Sequence, residues 1–141
     1  MTVKDLMTGV VEFVHPEDTV DKAAQKMTRR NIGSIPVLDQ DQNPIGIITD
    51  RDIATRVVSV RLDPTETEVI KVMTHDPLFC KESDDIKTAA DIMKDNQVRR
   101  LLVQNDQGSL TGIVSLGDLA LNAGHLMTGE VLEEVSKPPN S

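Results

Sequence analysis

The stretch GIITDRDIA at residues 46–54 returns as GIVSLGDLA at residues 112–120. Each copy is an apolar run followed by a hydroxyl residue and, three positions later, by an aspartate. The spacing of 66 residues between the copies relates further matching residues without a gap, namely Met7 to Met73, Phe13 to Phe79 and Met27 to Met93. Such a duplication indicates two similar modules, and function is expected where duplicated modules meet.

Length and composition restrict the classes of function. Of the 141 residues 38% are apolar, and with only two phenylalanines and no tyrosine or tryptophan the core must be aliphatic. The net charge is −8 and no basic run occurs, which disfavours nucleic acid as a partner, because phosphates require clustered Lys and Arg. No apolar stretch reaches membrane length and no signal-peptide pattern is present, so we expect a cytoplasmic protein without a membrane partner.

The order of predicted elements is β-α-β-β-α in both halves. Apolar residues at helical spacing precede a pair of strand-like runs in each half, and a helix begins at Thr49 and again at Ser115. The first half also opens with a predicted strand over residues 10–14. We therefore predict an α/β fold of the α+β type, with two repeats packed sheet to sheet about a pseudo-two-fold axis. The predicted boundaries are 1–60 for the first domain, 61–68 for a linker, 69–124 for the second domain and 125–141 for a helical tail with a frayed end.

The hydroxyl-x-x-acid motifs, Thr49 with Asp52 and Ser115 with Asp118, have two interpretations. The first is a capping box, in which hydroxyl and carboxylate satisfy main-chain N–H groups at the helix start. The second is a ligand site, because a helix start attracts phosphate and an acid can accept the hydroxyls of a ribose. Under the second interpretation Arg51 also reaches a phosphate.

A pair of arginines, Arg99 and Arg100, opens a predicted strand. A solvated strand end explains them in one interpretation, and a guanidinium that binds phosphate in the other. The matching residues of the first half are Gly33 and Ser34, which leave space and offer main-chain N–H groups. The two predicted clefts are therefore related but not equivalent.

Taken together, these motifs resemble a tandem pair of cystathionine-β-synthase-type (CBS) domains, called a Bateman module, as found in small stand-alone prokaryotic proteins. The resemblance covers about residues 1–121 and is carried by the segments 3–8, 31–37 and 46–54, and by 72–74, 97–103 and 112–120. It implies an adenosine-containing ligand, namely AMP, ADP, ATP, NAD or S-adenosylmethionine, between the two domains.

The resemblance also implies the residues of two pockets, each with its hydroxyl residue and acid from one domain and its adenine walls from the other. One pocket would then comprise Thr49, Arg51, Asp52, Thr74, Leu78, Val98, Arg99 and Arg100. The other would comprise Ser115, Asp118, Thr8, Glu12, Ile32, Gly33 and Ser34.

Three classes of function follow. The first is a sensor of AMP, ADP or ATP that modulates an effector protein, and the second is a structural dimerisation module without a ligand. The third is an enzyme, which we do not expect, because no nucleophile with a nearby base can be named. No metal or cofactor site is expected either, since no His, Cys and Asp spacing resembles a zinc site. We expect a homodimer formed through helix residues that one chain leaves uncovered, namely Ile53, Ala54, Val57, Leu119 and Leu121.

Overall fold

A computed structural model describes residues 1–10 and 12–122 of the chain. The helices are α1 (Val3–Leu6), α2 (Val20–Arg30), α3 (Asp50–Ile53), α4 (Ile86–Asn96) and α5 (Leu116–Asn122), with a π-helical segment at Ala54–Val58 and a 3-10 turn at Val69–Lys71. The strands are β1 (Thr8–Gly9), β2 (Ser34–Leu38), β3 (Pro44–Thr49), β4 (Thr74–His75), β5 (Phe79–Lys81), β6 (Arg100–Gln104) and β7 (Leu110–Ser115). The predicted α/β fold class is confirmed, whereas the predicted tail at 125–141 lies outside the described residues.

The described residues form two compact units, which we call the central unit (Val10–Pro77) and the terminal unit (Met1–Gly9 with the described chain from Leu78 onward). The central unit contains a three-stranded sheet in the order β2-β3-β4, and the terminal unit a four-stranded sheet in the order β1-β7-β6-β5. Each sheet is built on an antiparallel hairpin, β2–β3 or β6–β7. In the terminal unit β5 adds a parallel edge strand next to β6.

The leading strand of each repeat pairs with the other repeat. β1 lies antiparallel to β7, and β4 lies antiparallel to β3. A glycine permits each close approach: a Cβ atom at Gly46 would lie 2.6 Å from Met73 Sδ, and one at Gly112 would lie 2.5 Å from Met7 Sδ. Because the leading strands cross over, the compact units differ from the two contiguous repeats.

The long helices α2 and α4 bury one face each in an aliphatic core. Both end on a residue with left-handed main-chain geometry, Asn31 (φ 53°) and Gln97 (φ 54°), which stand 66 residues apart. The central core comprises Val14, Val20, Ala23, Met27, Ile35, Val37, Ile48, Val57, Val69, Val72 and Met73. The terminal core comprises Val3, Cys80, Ala89, Ala90, Met93, Leu101, Val103, Val114, Leu116 and Leu119.

The structure differs from the predicted strand over residues 10–14. Among the described residues of that segment only Val14 is bridged, in parallel to Val37. Val14 itself is bonded to β2, because its N–H donates to the main-chain oxygen of Pro36 and its own oxygen accepts the N–H of Leu38. One residue earlier the main-chain oxygen of Phe13 accepts a hydrogen bond from Lys26 Nζ at 2.7 Å, so that oxygen is bonded to α2 and not to a strand.

Two residues of the predicted dimer surface belong to the cores. Val57 is 0% exposed and Leu119 is 1% exposed, so that prediction is wrong for both. Each packs inside its own unit because the helix that carries it covers the sheet with that face. Of the other three, Ile53 is half-buried and Ala54 is exposed, while Leu121 is 84% exposed.

Candidate functional site

The motif of the central unit lies where β3 passes into α3. Asp52 N–H donates to Thr49 Oγ1 at 3.0 Å, and Thr49 N–H donates to Asp52 Oδ2 at 3.0 Å. Thr49 is 9% exposed and Asp52 is 8% exposed, so the pair is nearly buried. This is a complete capping box, and the capping interpretation is confirmed for this motif.

The motif of the terminal unit repeats these bonds where β7 passes into α5. Ser115 N–H donates to Asp118 Oδ2 at 2.8 Å, and Asp118 N–H donates to Ser115 Oγ at 3.1 Å. Both side chains are half-buried. Duplication has therefore preserved the chemistry of the box together with the strand-to-helix turn that holds it.

A capping box leaves the acid with acceptor capacity. An ionised carboxylate has two oxygens with about four lone-pair positions, and the cap of Asp52 uses Oδ2. The other oxygen, Oδ1, lies 4.0 Å from Arg56 Nε, which is too far for a hydrogen bond. Asp52 is thus held in one orientation, with an oxygen able to accept a ligand hydroxyl.

Each box has a threonine from the other repeat on the neighbouring strand. Thr74 lies opposite Ile47, two residues before Thr49, and Thr8 lies opposite Ile113, two residues before Ser115. Residues directly opposite in an antiparallel pair share a face of the sheet, as do residues two apart on one strand. Thr74 is therefore on the face of Thr49, and both Thr74 and Thr8 are exposed.

The residues next to the boxes differ between the units. In the central unit Ser34 pairs with Thr49, and the main-chain oxygen of Gly33 accepts the N–H of Asp50 at 3.0 Å. In the terminal unit Arg100 pairs with Ser115, and the main-chain oxygen of Arg99 accepts the N–H of Leu116 at 2.8 Å. The arginine pair thus borders the Ser115 box. Its predicted grouping with Thr49, like that of Gly33 and Ser34 with Ser115, joins residues of different units and stays a prediction.

The predicted adenine walls have other contacts in the structure. Glu12 forms ion pairs with Arg30 (Nε–Oε1 3.2 Å) and Lys26 (Nζ–Oε2 3.6 Å), and the hydrogen bond from Arg30 lowers the pKa of Glu12 below its usual value. The remaining wall residues are partly buried and pack against the core of their own unit, namely Ile32 in the central unit and Leu78 and Val98 in the terminal unit. Arg51 is exposed on α3.

Sequence reasoning missed Arg56. This residue follows Asp52 by four positions, a spacing that places two side chains next to each other on a helix. Its Nη1 donates to the main-chain oxygens of Val72 and Met73, directly before Thr74. The spacing from Asp52 was a usable signal, whereas the two carbonyl acceptors depend on the tertiary fold.

Three further observations concern metal binding, nucleophilic chemistry and membrane spanning. Residues 1–10 and 12–122 contain no group of His, Cys, Asp and Glu that could hold a metal ion. Burial raises the pKa of the Cys80 thiol to about 12, which makes it inert as a nucleophile at neutral pH. None of the helices in this part of the chain is long and apolar enough to cross a membrane.

Comparison with known proteins gives a consistent result. The CBS domain family model matches residues 3–59 and 68–123. The CBS domain-containing protein YhcV of Bacillus subtilis is 40% identical over 121 residues, which are 86% of this chain and 84% of that protein.

Two solved structures are similar in fold. The conserved CBS domain protein TA0289 of Thermoplasma acidophilum matches with a TM-score of 0.80 and 26% identity, over 95% of this chain and 75% of that one. CBSX2, solved in complex with AMP, matches with a TM-score of 0.66 and 27% identity, over 86% of this chain and 95% of that one. The chain therefore belongs to the CBS domain family, of which it carries two copies in tandem.

Proposed function

We propose that this protein binds an adenosine nucleotide of the AMP, ADP or ATP type at its hydroxyl-x-x-acid boxes and thereby modulates an effector protein. The observation that carries the proposal is the repeated box, in which an acid, nearly buried in the central unit and half-buried in the terminal unit, is fixed by its own cap. A fixed carboxylate favours binding of paired ribose hydroxyls, because no side-chain entropy is lost when the ligand arrives.

Neighbouring residues supply the rest of the ligand chemistry. Thr74 on β4 and Thr8 on β1 add a hydroxyl on the sheet next to each box. Arg51 in the central unit, and Arg99 and Arg100 in the terminal unit, are cations suited to phosphate. The AMP complex of the related CBSX2 supports this ligand class. S-Adenosylmethionine and NAD share the adenosine group and are the alternative ligands.

A structural module without a ligand is the second candidate. It is favoured by one observation: each box satisfies its own main-chain N–H groups, so capping alone accounts for these four residues. In this case the repeats would serve only for assembly.

The two candidates are separated by titration calorimetry and thermal unfolding with AMP, ADP, ATP, adenosine, NAD and S-adenosylmethionine. A ligand at 100 times its dissociation constant stabilises the folded state by about 2.7 kcal/mol. Asp52→Asn and Asp118→Asn keep a capping oxygen but remove the charge, and each should weaken binding at its own site by about 1.5–3 kcal/mol.

Asp95→Asn is the matched control, because Asp95 is an exposed acid on α4 and undergoes the same change of charge. Absence of binding for the whole panel would leave the structural module as the function.

We further propose that the protein forms a homodimer, through which binding of the ligand is transmitted. Beyond α3 the chain exposes apolar side chains at Val58 (66%), Val60 (58%) and Leu62 (47%), which cost free energy in water unless a second copy covers them. Light scattering at micromolar concentration should give the mass of a dimer, and Val58→Glu should reduce it. A monomeric mass for the unaltered protein, with and without AMP, would contradict this step.

A cytoplasmic location of the protein stays a prediction.

A further inference from the structure

Arg56 connects the acid of the central box to the strand that carries Thr74. Its Nη1 donates hydrogen bonds to the main-chain oxygens of Val72 at 3.0 Å and Met73 at 3.2 Å. Its Nε lies 4.0 Å from Asp52 Oδ1, within the range of charge attraction. About half of the Arg56 side chain is exposed, against 11% of the Asp52 side chain. One guanidinium therefore interacts with a helix and with the start of β4.

The chemistry of the guanidinium explains why an arginine suits this position. Its donors lie in one rigid plane, so that a group bonded to two successive carbonyls on one side has little freedom on the other. A lysine would bring the same charge but only a compact ammonium on a flexible stem. Arg56 thus holds the segment before Thr74 by hydrogen bonds, while its charge lies beside Asp52.

The second repeat has no arginine at the matching place. The residue 66 positions after Arg56 is Asn122, whose amide is neutral and shorter. The sequence of the second repeat therefore has no guanidinium four residues after its acid.

We propose that Arg56 is a positioning residue for the ligand site of the central unit: it fixes Asp52 relative to β4, so that Asp52 and Thr74 meet the ligand at a constant separation. Only the part of this inference that concerns the ligand rests on the proposed function. The link between Asp52, Arg56 and β4 is a property of the protein without ligand.

The first measurement uses no ligand. Amide hydrogen exchange of Thr74 and His75 is followed in the full-length protein and in Arg56→Met, Arg56→Lys and Asp52→Asn. Loss of two hydrogen bonds from a charged donor should speed this exchange about tenfold or more in Arg56→Met, with partial protection in Arg56→Lys. Lys71→Met is the control, because it removes one charge from an exposed side chain next to the same segment and should leave exchange unchanged.

The second measurement is a double-mutant cycle for AMP affinity at the central site. If Arg56 acts through Asp52, Arg56→Met lowers affinity about tenfold in the otherwise unaltered protein and much less when Asp52 is already Asn. Denaturant unfolding of the same variants shows whether they are folded under the conditions of the titration.

Each result has a defined meaning. Faster exchange in Arg56→Met together with non-additive affinities supports the proposal. Unchanged exchange at Thr74 and His75 overturns it, and so do additive affinity losses, which indicate a purely structural arginine. Failure of AMP, ADP and ATP alike to bind the unaltered protein contradicts the proposed function, while the exchange rates still decide whether Arg56 restrains β4.

Discussion

Three matching positions carry charged side chains in the central unit and uncharged, mostly apolar side chains in the terminal unit. In the central unit Glu12 pairs with Lys26 and Arg30 on α2. The residues 66 positions later are Leu78, Ile92 and Asn96 in the terminal unit, where Leu78 and Ile92 pack against the core. Duplication has therefore kept the matching positions while their chemistry has changed, from ion pairs in the central unit to apolar packing in the terminal unit.

The boxes show the opposite balance, because their bonds are nearly identical and their surroundings differ. Both acids accept a main-chain N–H from the hydroxyl residue three positions earlier, at 3.0 and 2.8 Å. Opposite the hydroxyl residue the central unit has Ser34, whereas the terminal unit has Arg100. Under the proposed function, this difference in flanking charge predicts different ligand preferences for the two boxes.

The largest difference in stability between the units is expected for glutamate substitutions at matching positions of α3 and α5. Leu119→Glu puts an unpaired carboxylate at a position that is 1% exposed, so it should destabilise the terminal unit by more than about 4 kcal/mol. Ile53→Glu changes the matching, half-buried position and should cost clearly less. Thiol labelling of Cys80 at pH 8 reports on the terminal unit, because the buried thiol with a pKa of about 12 reacts only when that unit opens. Slow labelling in Leu119→Glu would contradict the buried position.

Substitutions at Gly112 and Gly46, on the strands that pair with β1 and β4, test the pairing of each leading strand with the other repeat. A methyl group at Gly112 would lie 2.9 Å from the main-chain oxygen of Thr8, and at Gly46 2.8 Å from that of Thr74, so each alanine should cost about 1–3 kcal/mol. Gly112→Ala should speed labelling of Cys80 and Gly46→Ala should not. Gly9→Ala is the control, since nothing lies within 4 Å of its added Cβ. Equal labelling rates in both variants would show that the two effects are not confined to their units.

Local patterns made much of the fold predictable from the sequence. The helical stripes, the hairpins and both capping boxes depend on residues within a few positions of each other, and each was readable from periodicity or spacing. The 66-residue spacing then predicts the same elements for the second repeat as for the first.

Long-range contacts set the limit of that prediction. The pairing of β1 with β7 depends on Met7 against Gly112, a contact between residues far apart in sequence. Likewise the bond from Lys26 to Phe13 replaces a strand that local propensity favoured, and the burial of Val57 and Leu119 depends on how each helix rotates onto its sheet. The carbonyl partners of Arg56 belong to the same class.

A smaller difference is expected in the hairpin turns. Gln42 has a φ of 66° between β2 and β3, while Gly108 has a φ of 79° at the matching place between β6 and β7. Only glycine adopts this geometry without steric cost, so Gln42→Gly should stabilise the protein by about 0.5–1 kcal/mol. Gly108→Gln should destabilise it by a similar amount. Urea midpoints measured by circular dichroism check both, and a lower midpoint for Gln42→Gly would show that the glutamine side chain contributes more than its geometry costs.

The smallest effect returns to the charges around Glu12. Arg30 lowers the pKa of this carboxyl from its ordinary value of 4.5, so folding favours the ionised form. The resulting stability is present above pH 4.5 and is lost as the pH falls through the lowered value, because the protonated acid no longer attracts Arg30 and Lys26. Glu12→Gln should therefore lower the urea midpoint slightly at pH 7 and leave it unchanged at pH 2, and 1 M salt should reduce the difference at pH 7. Glu66→Gln, an exposed acid in the same unit, serves as the control. If the Glu12→Gln difference persisted undiminished at pH 2, the side chain would be acting through packing, as Leu78 does in the terminal unit.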